Sequence, residues 1–271
     1  MDVIAATEAG SALVPNEDAV AAGRSVVAVA DGVTSLGLPT GCVHGTPWYA
    51  ASLVRAIVAH AEGDPRLPLD RALAEAIGQV AAAHAGTCDL TAPGTPSATV
   101  AVIREYAGRF DHLVLSDATV VVGGTAIRDR RAENLFGELA AAAMRTPMGS
   151  AERRERTAEM IEAQRLLRNA PGGYWLAGAA PEAAGHALTG SVPATGTGPA
   201  AVMTDGAAAL VDLYGQLTWR AALPWLAEAG PEGWLRRVRA VEASDPRGRR
   251  WPRHKPGDDA TIALCRPSSG K

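Results

Sequence analysis

The chain has 271 residues, 47% of them hydrophobic, which is enough apolar material for one large core or two small ones. Its 26 Lys and Arg against 29 Asp and Glu leave a formal charge of -3, so it lacks the basic balance of a nucleic-acid-binding chain. No apolar run approaches the roughly 20 residues of a membrane span. Residues 3–32 read as short strands and turns, the last being Val26-Val27-Ala28-Val29-Ala30 running into Asp31-Gly32. An apolar run of this kind predicts a buried strand, and Gly permits a sharp turn where it leaves the core. The Gly-, Pro- and Thr-rich stretch 34–47 predicts a loop. Apolar residues spaced by three and four predict a helix over 48–61, and an alanine-rich helix follows over 69–85 with Asp70 in its first turn.

After a loop at 86–96, strands are predicted at 98–104, 112–116 and 119–122. The last two flank Asp117-Ala118, a spacing that predicts a hairpin. Helices are predicted at 132–145 and 151–168, the second carrying mixed charges at helical spacing and so a solvated face. Pro171-Gly172-Gly173 breaks the pattern; a short helix at 181–188 and a loop at 189–199 follow. Strand 200–204 runs into a second Asp-Gly corner, Asp205-Gly206. Helices at 223–229 and 232–243, an extended basic loop at 245–257 and a final strand at 260–265 complete the chain. Strands and helices do not alternate regularly and no repeat divides the chain, which favours an α+β fold with antiparallel sheets covered by helix pairs.

The three cysteines, Cys42, Cys88 and Cys265, are far apart and form no Cys-x-x-Cys pair. That argues against a zinc ribbon or a disulfide framework and fits a reducing cytoplasm. Met1-Asp2-Val3-Ile4 has no basic segment followed by a long apolar stretch, so no signal peptide is expected. His60 and His84 read as helix residues that fill space or face solvent, and His44 as part of a surface loop. Trp48, Trp175 and Trp234 read as packing residues.

Acidic strings mark four strand ends: Asn16-Glu17-Asp18, Asp31-Gly32, Asp205-Gly206 and Gly257-Asp258-Asp259. One isolated Asp-Gly is ordinarily a turn. Several together at strand ends point to carboxylates converging on hard cations, because such cations prefer oxygen ligands.

Five strings in order resemble the metal-dependent protein phosphatases of type 2C: Asn16-Glu17-Asp18, Ala30-Asp31-Gly32, Leu115-Ser116-Asp117, Thr204-Asp205-Gly206 and Asp258-Asp259-Ala260-Thr261. The stretch from Arg168 to Trp175 also resembles a segment of bacterial members. The resemblance implies a four-layer α-β-β-α sandwich of two antiparallel sheets flanked by helix pairs. It implies one domain over 1–266, a helical flap-like insertion at about 128–195, and a tail at 267–271. It further implies two Mg²⁺ or Mn²⁺ ions, with a third near Asp117 in some bacterial members. Asp31 would bridge the two and the Gly32 carbonyl would bind one, while Asp205 and Asp258 would hold the other. Glu17 would act through metal-bound water, and Asp18 would support from behind. Asp31, Asp205 and Asp258 would thus be catalytic through a metal-activated water. Asp259 stands where the family often has Asn and reads as a neighbour.

Two departures stand out. The Arg that grips the substrate phosphate in family members is here Leu13, and the family's Asp-Gly-His is here Asp31-Gly32-Val33-Thr34-Ser35. Arg253 or Lys255, in the basic loop just before Asp258, would be the substitute phosphate contact; otherwise this is simply a solvated basic loop. The implied activity is hydrolysis of phosphoserine and phosphothreonine in proteins by a monomeric, cytoplasmic, bacterial-type enzyme with no membrane or nucleic-acid partner. The alternatives are a phosphatase for a small phosphomonoester, or a weakly active binding or sensing member of the fold.

Overall fold

The computed structural model describes residues 1–33 and 38–268. Thr34 and Ser35, at the start of the expected loop, and the end of the expected 267–271 tail lie outside the described residues. Ten strands form two antiparallel sheets of five. The first sheet has the order β1 (Asp2–Glu8), β10 (Ala260–Arg266), β9 (Ala200–Met203), β6 (Thr119–Val122), β7 (Thr125–Arg128). The second has the order β2 (Asp18–Ala22), β3 (Val26–Gly32), β4 (Ala98–Tyr106), β5 (Arg109–Leu115), β8 (Leu188–Pro193). Helices α1 (Gly45–Gly63) and α2 (Leu69–His84) cover the second sheet, and α5 (Asp205–Asp212) and α6 (Trp219–Ser244) cover the first. This is the expected α-β-β-α layering.

The layering explains why the central strands are apolar at every position rather than at alternate ones. In β3, Val26, Ala28 and Ala30 face α1 and α2, while Val27 and Val29 face the other sheet. In β10, Ile262 and Leu264 face α5 and α6, while Ala263 and Cys265 lie between the sheets. Successive strand side chains point to opposite faces, and here both faces are covered. Each fully buried Val, Leu or Ile contributes roughly 1.5–3 kcal/mol.

Two expectations are corrected and two others refined. Residues 112–116 and 119–122 do not form a hairpin: β5 pairs with β4 and β8, whereas β6 pairs with β7 and β9 in the other sheet. The chain crosses between sheets at Asp117. The hairpins lie to either side, at Ala107-Gly108 (φ 49° and 72°) and Gly123-Gly124 (φ 57° and 77°), where both central residues take the positive φ of a tight two-residue turn. The expected loop at 189–199 contains β8, an exposed edge strand with little apolar content, specified by pairing with β5 rather than by its own pattern. The second Asp-Gly corner opens the short helix α5. The two helices expected at 223–243 are the halves of α6, broken at Gly230 (φ 72°) before Pro231.

Segment 128–195 carries α3 (Arg131–Met144), α4 (Ala151–Leu167), a 3₁₀ turn (Pro181–His186) and β8. α3 and α4 share a small core of Phe136, Met160, Tyr174 and Leu176. Most of α4 is solvated as its charge pattern predicts, but Arg153 and Met160 are buried. Arg153 donates to the carbonyl oxygens of Thr146 and Met144 and, at 3.2 Å, of Arg253, which ties this helix to the basic loop.

Candidate metal centre

The acidic residues meet where strand ends from both sheets come together. Asp18 opens β2 directly opposite Asp31 in the β2–β3 register. The Gly32 N–H donates to the Glu17 carbonyl oxygen at 3.1 Å, holding the two strings side by side. Asp117 sits in the crossing between sheets, just after Ser116 with its positive φ of 64°. Asp205 is the first residue of α5, one residue past the end of β9, and Asp258 lies just before the neighbouring β10. The structure therefore brings Glu17, Asp18, Asp31, Gly32, Asp117, Asp205 and Asp258 to one edge.

Both glycines of the Asp-Gly corners are required by close approach. Neither has a positive φ. A Cβ on Gly32 would run into the Thr46 side chain and would lie 2.7 Å from the Glu17 carbonyl oxygen. A Cβ on Gly206 would collide with the Asp259 carbonyl oxygen. Glycine is what allows these strings to lie against each other.

A hydroxyl and a carboxylate set the frame. Thr204 Oγ1 donates to Asp18 Oδ2 at 2.7 Å and accepts from the Thr261 N–H at 3.0 Å. One buried hydroxyl thus ties β2 of one sheet to β10 of the other. Asp259 is turned to the backbone: its Oδ1 accepts from Gly10 N at 2.8 Å and its Oδ2 from Glu17 N at 2.7 Å. It positions the string that carries Glu17. Sequence reasoning did not pick out Thr204, although it stands directly before Asp205 at a strand end.

The electrostatics is that of crowded carboxylates. Burial pushes Asp18 up to about 7, with Asp259 and Asp258 adding to the shift and hydrogen bonds from Thr204 and Thr261 opposing it. Asp31 is held well above the ordinary carboxylate range by burial and then by the charges of Asp205, Asp18, Asp117 and Asp258. Asp205 is raised the same way, by burial and by Asp258, Asp117 and Asp18. Asp117 is raised by burial and, against its local hydrogen bonds, by Asp129 and Asp258. Asp18 Oδ1 is buried and has no hydrogen-bond partner. All-oxygen donors, an orphaned carboxylate oxygen and mutual repulsion are together what a hard divalent cation relieves.

Around this edge the two expected phosphate contacts differ. Lys255 Nζ lies 2.6 Å from Asp258 Oδ1. Burial opposes its charge, but Asp258, Asp31 and Asp205 outweigh that and raise its pKa. Arg253 is only 6% exposed. It donates to the carbonyl oxygens of Pro256, Trp251, Glu242 and Asp245, and it pairs with the Asp245 carboxylate at 3.4 Å. Its guanidinium is consumed in folding the 245–257 loop, which removes it as a phosphate contact. Leu13 is 93% exposed, so no side chain at that position grips anything.

The histidine and cysteine expectations also change. Cys42 and His44, just before α1, meet His84 and Cys88 at the end of α2. His84 is buried there and His44 is part of the same cluster rather than a bare surface loop. The three tryptophans pack as expected; Trp234 is fully buried with its indole N–H on the Ala207 carbonyl oxygen.

No protein-family model and no curated protein matches the chain. Solved structures do. The serine/threonine phosphatase PstP of Mycobacterium tuberculosis aligns at a TM-score of 0.59 and 16% identity, over 98% of this chain and 97% of that one. The catalytic domain of a serine/threonine protein phosphatase PstP in complex with two manganese ions aligns at 0.55 and 15%, over 98% and 97%. A bacterial serine phosphatase aligns at 0.60 and 10%, over 100% and 99%. The chain has the type 2C phosphatase fold. The similarity runs through the whole chain rather than through one half.

Proposed function

We propose that this chain is a metal-dependent phosphoric monoester hydrolase acting on phosphoserine and phosphothreonine in proteins. The carrying observation is the convergence of Asp18, Asp31, Asp117, Asp205 and Asp258, from both sheets, on one edge where their charges raise one another's pKa. The fold shared with PstP, a structure of which is a complex with two manganese ions, supports the reading.

In this proposal Asp31, the Gly32 carbonyl, Asp205 and Asp258 hold two Mg²⁺ or Mn²⁺ ions, with Asp117 serving a third. When bound, the ions supply Lewis acidity toward phosphoryl oxygens and lower the pKa of water for in-line attack. Thr204 orients Asp18 behind the donors, and Asp259 fixes the backbone of Glu17. Lys255 offers its ammonium to the substrate phosphate when that phosphate competes with Asp258 for it. By the resemblance, the α3–α4 pair is read as the flap-like insertion, and its link to the basic loop through Arg153 supports a role on the substrate side.

One observation favours a second reading within the same chemistry. With Leu13 in solvent and Arg253 turned inward, a small phosphomonoester that brings its own binding groups is the rival substrate. The test is para-nitrophenyl phosphate hydrolysis with Mn²⁺, with EDTA and in Asp205→Ala, followed by a phosphopeptide panel. Metal-dependent turnover lost in the variant supports the proposal. Turnover of the small ester with none on any phosphopeptide moves it to the second reading, and no metal-dependent turnover at all overturns both.

A further inference from the structure

The second cluster of ligating groups is independent of the acidic edge and is built from soft donors. Cys42 Sγ and Cys88 Sγ lie 3.3 Å apart. His44 Nδ1 lies 3.8 Å from Cys42 Sγ and 3.4 Å from Cys88 Sγ, and His84 Nδ1 lies 3.6 Å from Cys42 Sγ. The four ligand atoms all fall within 4.8 Å of one another. A tetrahedral zinc with about 2.3 Å to sulfur and about 2.0–2.1 Å to nitrogen needs donors about 3.8 Å apart for two sulfurs, about 3.5 Å for sulfur and nitrogen, and about 3.3 Å for two nitrogens. The three sulfur–nitrogen spacings match that requirement to within about 0.3 Å, and the sulfur pair is closed by about half an ångström.

We propose that Cys42, His44, His84 and Cys88 form a closed, structural Zn²⁺ site. Two short segments supply it, Cys-x-His before α1 and His-x-x-x-Cys at the end of α2. The backbone already holds them together: Asp89 N donates to the Gly41 carbonyl oxygen at 2.8 Å, and Cys88 N to the His84 carbonyl oxygen at 2.9 Å. Gly41 needs its positive φ of 60° for this approach, and a Cβ there would lie 2.7 Å from the Ala92 side chain. The His44 backbone N–H donates to Cys42 Sγ at 3.4 Å. Trp48 stacks on the His44 ring at 4.3 Å and fixes its plane. Such supporting contacts orient metal ligands.

The chemistry separates this site from the acidic edge. Two thiolates and two imidazoles select zinc over Mg²⁺ or Mn²⁺, and four protein ligands leave no open position for a reaction. The site pins the segment entering α1 to the end of α2. Thr46, two residues past His44, is the residue that packs against Gly32, so the anchor lies one short step from the acidic edge. A Cys42–Cys88 disulfide is the competing use of the same thiols, but both cysteines are free and a disulfide leaves the two converging imidazoles unexplained.

The experiment uses the full chain purified under reduction without chelator. Elemental analysis is expected to find about one zinc per chain, kept in Asp205→Ala and reduced at least tenfold in the Cys42→Ser/Cys88→Ser double variant. Because that variant could fail to fold, metal-depleted wild-type protein is also titrated with Co²⁺. Tetrahedral d–d bands with a thiolate charge-transfer band are expected, and Zn²⁺ is expected to bleach both and to protect Cys42 and Cys88 from alkylation. Zinc retained by the folded double variant overturns the proposal. So does the absence of a thiolate–cobalt band in reduced wild-type protein, or a Cys42–Cys88 disulfide that takes no zinc after reduction.

Discussion

The acidic edge and the Cys/His cluster are assembled in opposite ways. The first draws carboxylates from five places between Glu17 and Asp258, brought together by two sheets packing face to face. The second draws four residues from the two ends of one helix pair. Carboxylates buried and crowded without a cation are disfavoured as charges: burial first, and neighbouring carboxylates after it, raise Asp18, Asp31 and Asp205. Thiols and imidazoles can be neutral and cost little when bare. One cluster therefore demands a cation to be comfortable as charged groups, while the other is ready for one.

Exchanging the lesions between the clusters is the strongest way to break the comparison. Asp205→Asn is expected to lower Mn²⁺-dependent ester hydrolysis by on the order of 100-fold or more, exceeding the usual effect of a residue behind the ligands, and to leave zinc content unchanged. Assays of turnover and of bound metal on the same preparation check both halves. Zinc lost together with activity would show that the clusters are one unit.

Titration of the metal-free protein sharpens it further. Asp18 moves from 3.8 unfolded to about 7 folded, so the folded state holds the proton more tightly. Its contribution to stability is full below the unfolded value and is lost as pH rises through about 7. Urea unfolding in EDTA at about pH 5 and about pH 8 is expected to show wild type losing more stability than Asp18→Asn, by a few kcal/mol. Mn²⁺ is expected to shrink that difference.

The two basic-loop residues should separate by readout. Arg253→Ala is expected to cost about 3 kcal/mol, because Asp245 and several carbonyls lose a buried cation. Lys255→Ala is expected to leave the unfolding midpoint nearly unchanged and to raise KM for the phosphoester several-fold. Equal effects on KM from both would return Arg253 to the substrate. At the corner, Gly206→Ala should cost about 1–3 kcal/mol through its clash with the Asp259 carbonyl, read by thermal unfolding with metal present.

Much of this molecule is legible in its residues one stretch at a time. The fully apolar runs of β3 and β10 announce strands covered on both faces, and the periodic spacing after Trp48 announces α1. Edge strand β8 was not legible, since Thr189, Gly190 and Ser191 form a strand only because β5 offers them hydrogen bonds. Arg253 and Lys255 look alike in a basic loop, and only the carbonyls and the Asp245 carboxylate around Arg253 tell them apart. Cys42 and Cys88 carried no Cys-x-x-Cys pair: the Cys42–His44 and His84–Cys88 halves are separated by a whole helix pair in the chain and meet only in the fold.

The sequence by itself determined the α+β class, the covered strands and the acidic residues at strand ends, because periodicity and chain punctuation are local properties. Only the tertiary structure decided that β5 and β6 part into different sheets at Asp117, and that the two Asp-Gly glycines serve close approach. It alone decided that two cysteines and two histidines meet. The reason is physical: register and layer packing set which distant side chains touch, and neither is encoded in any single stretch of the chain.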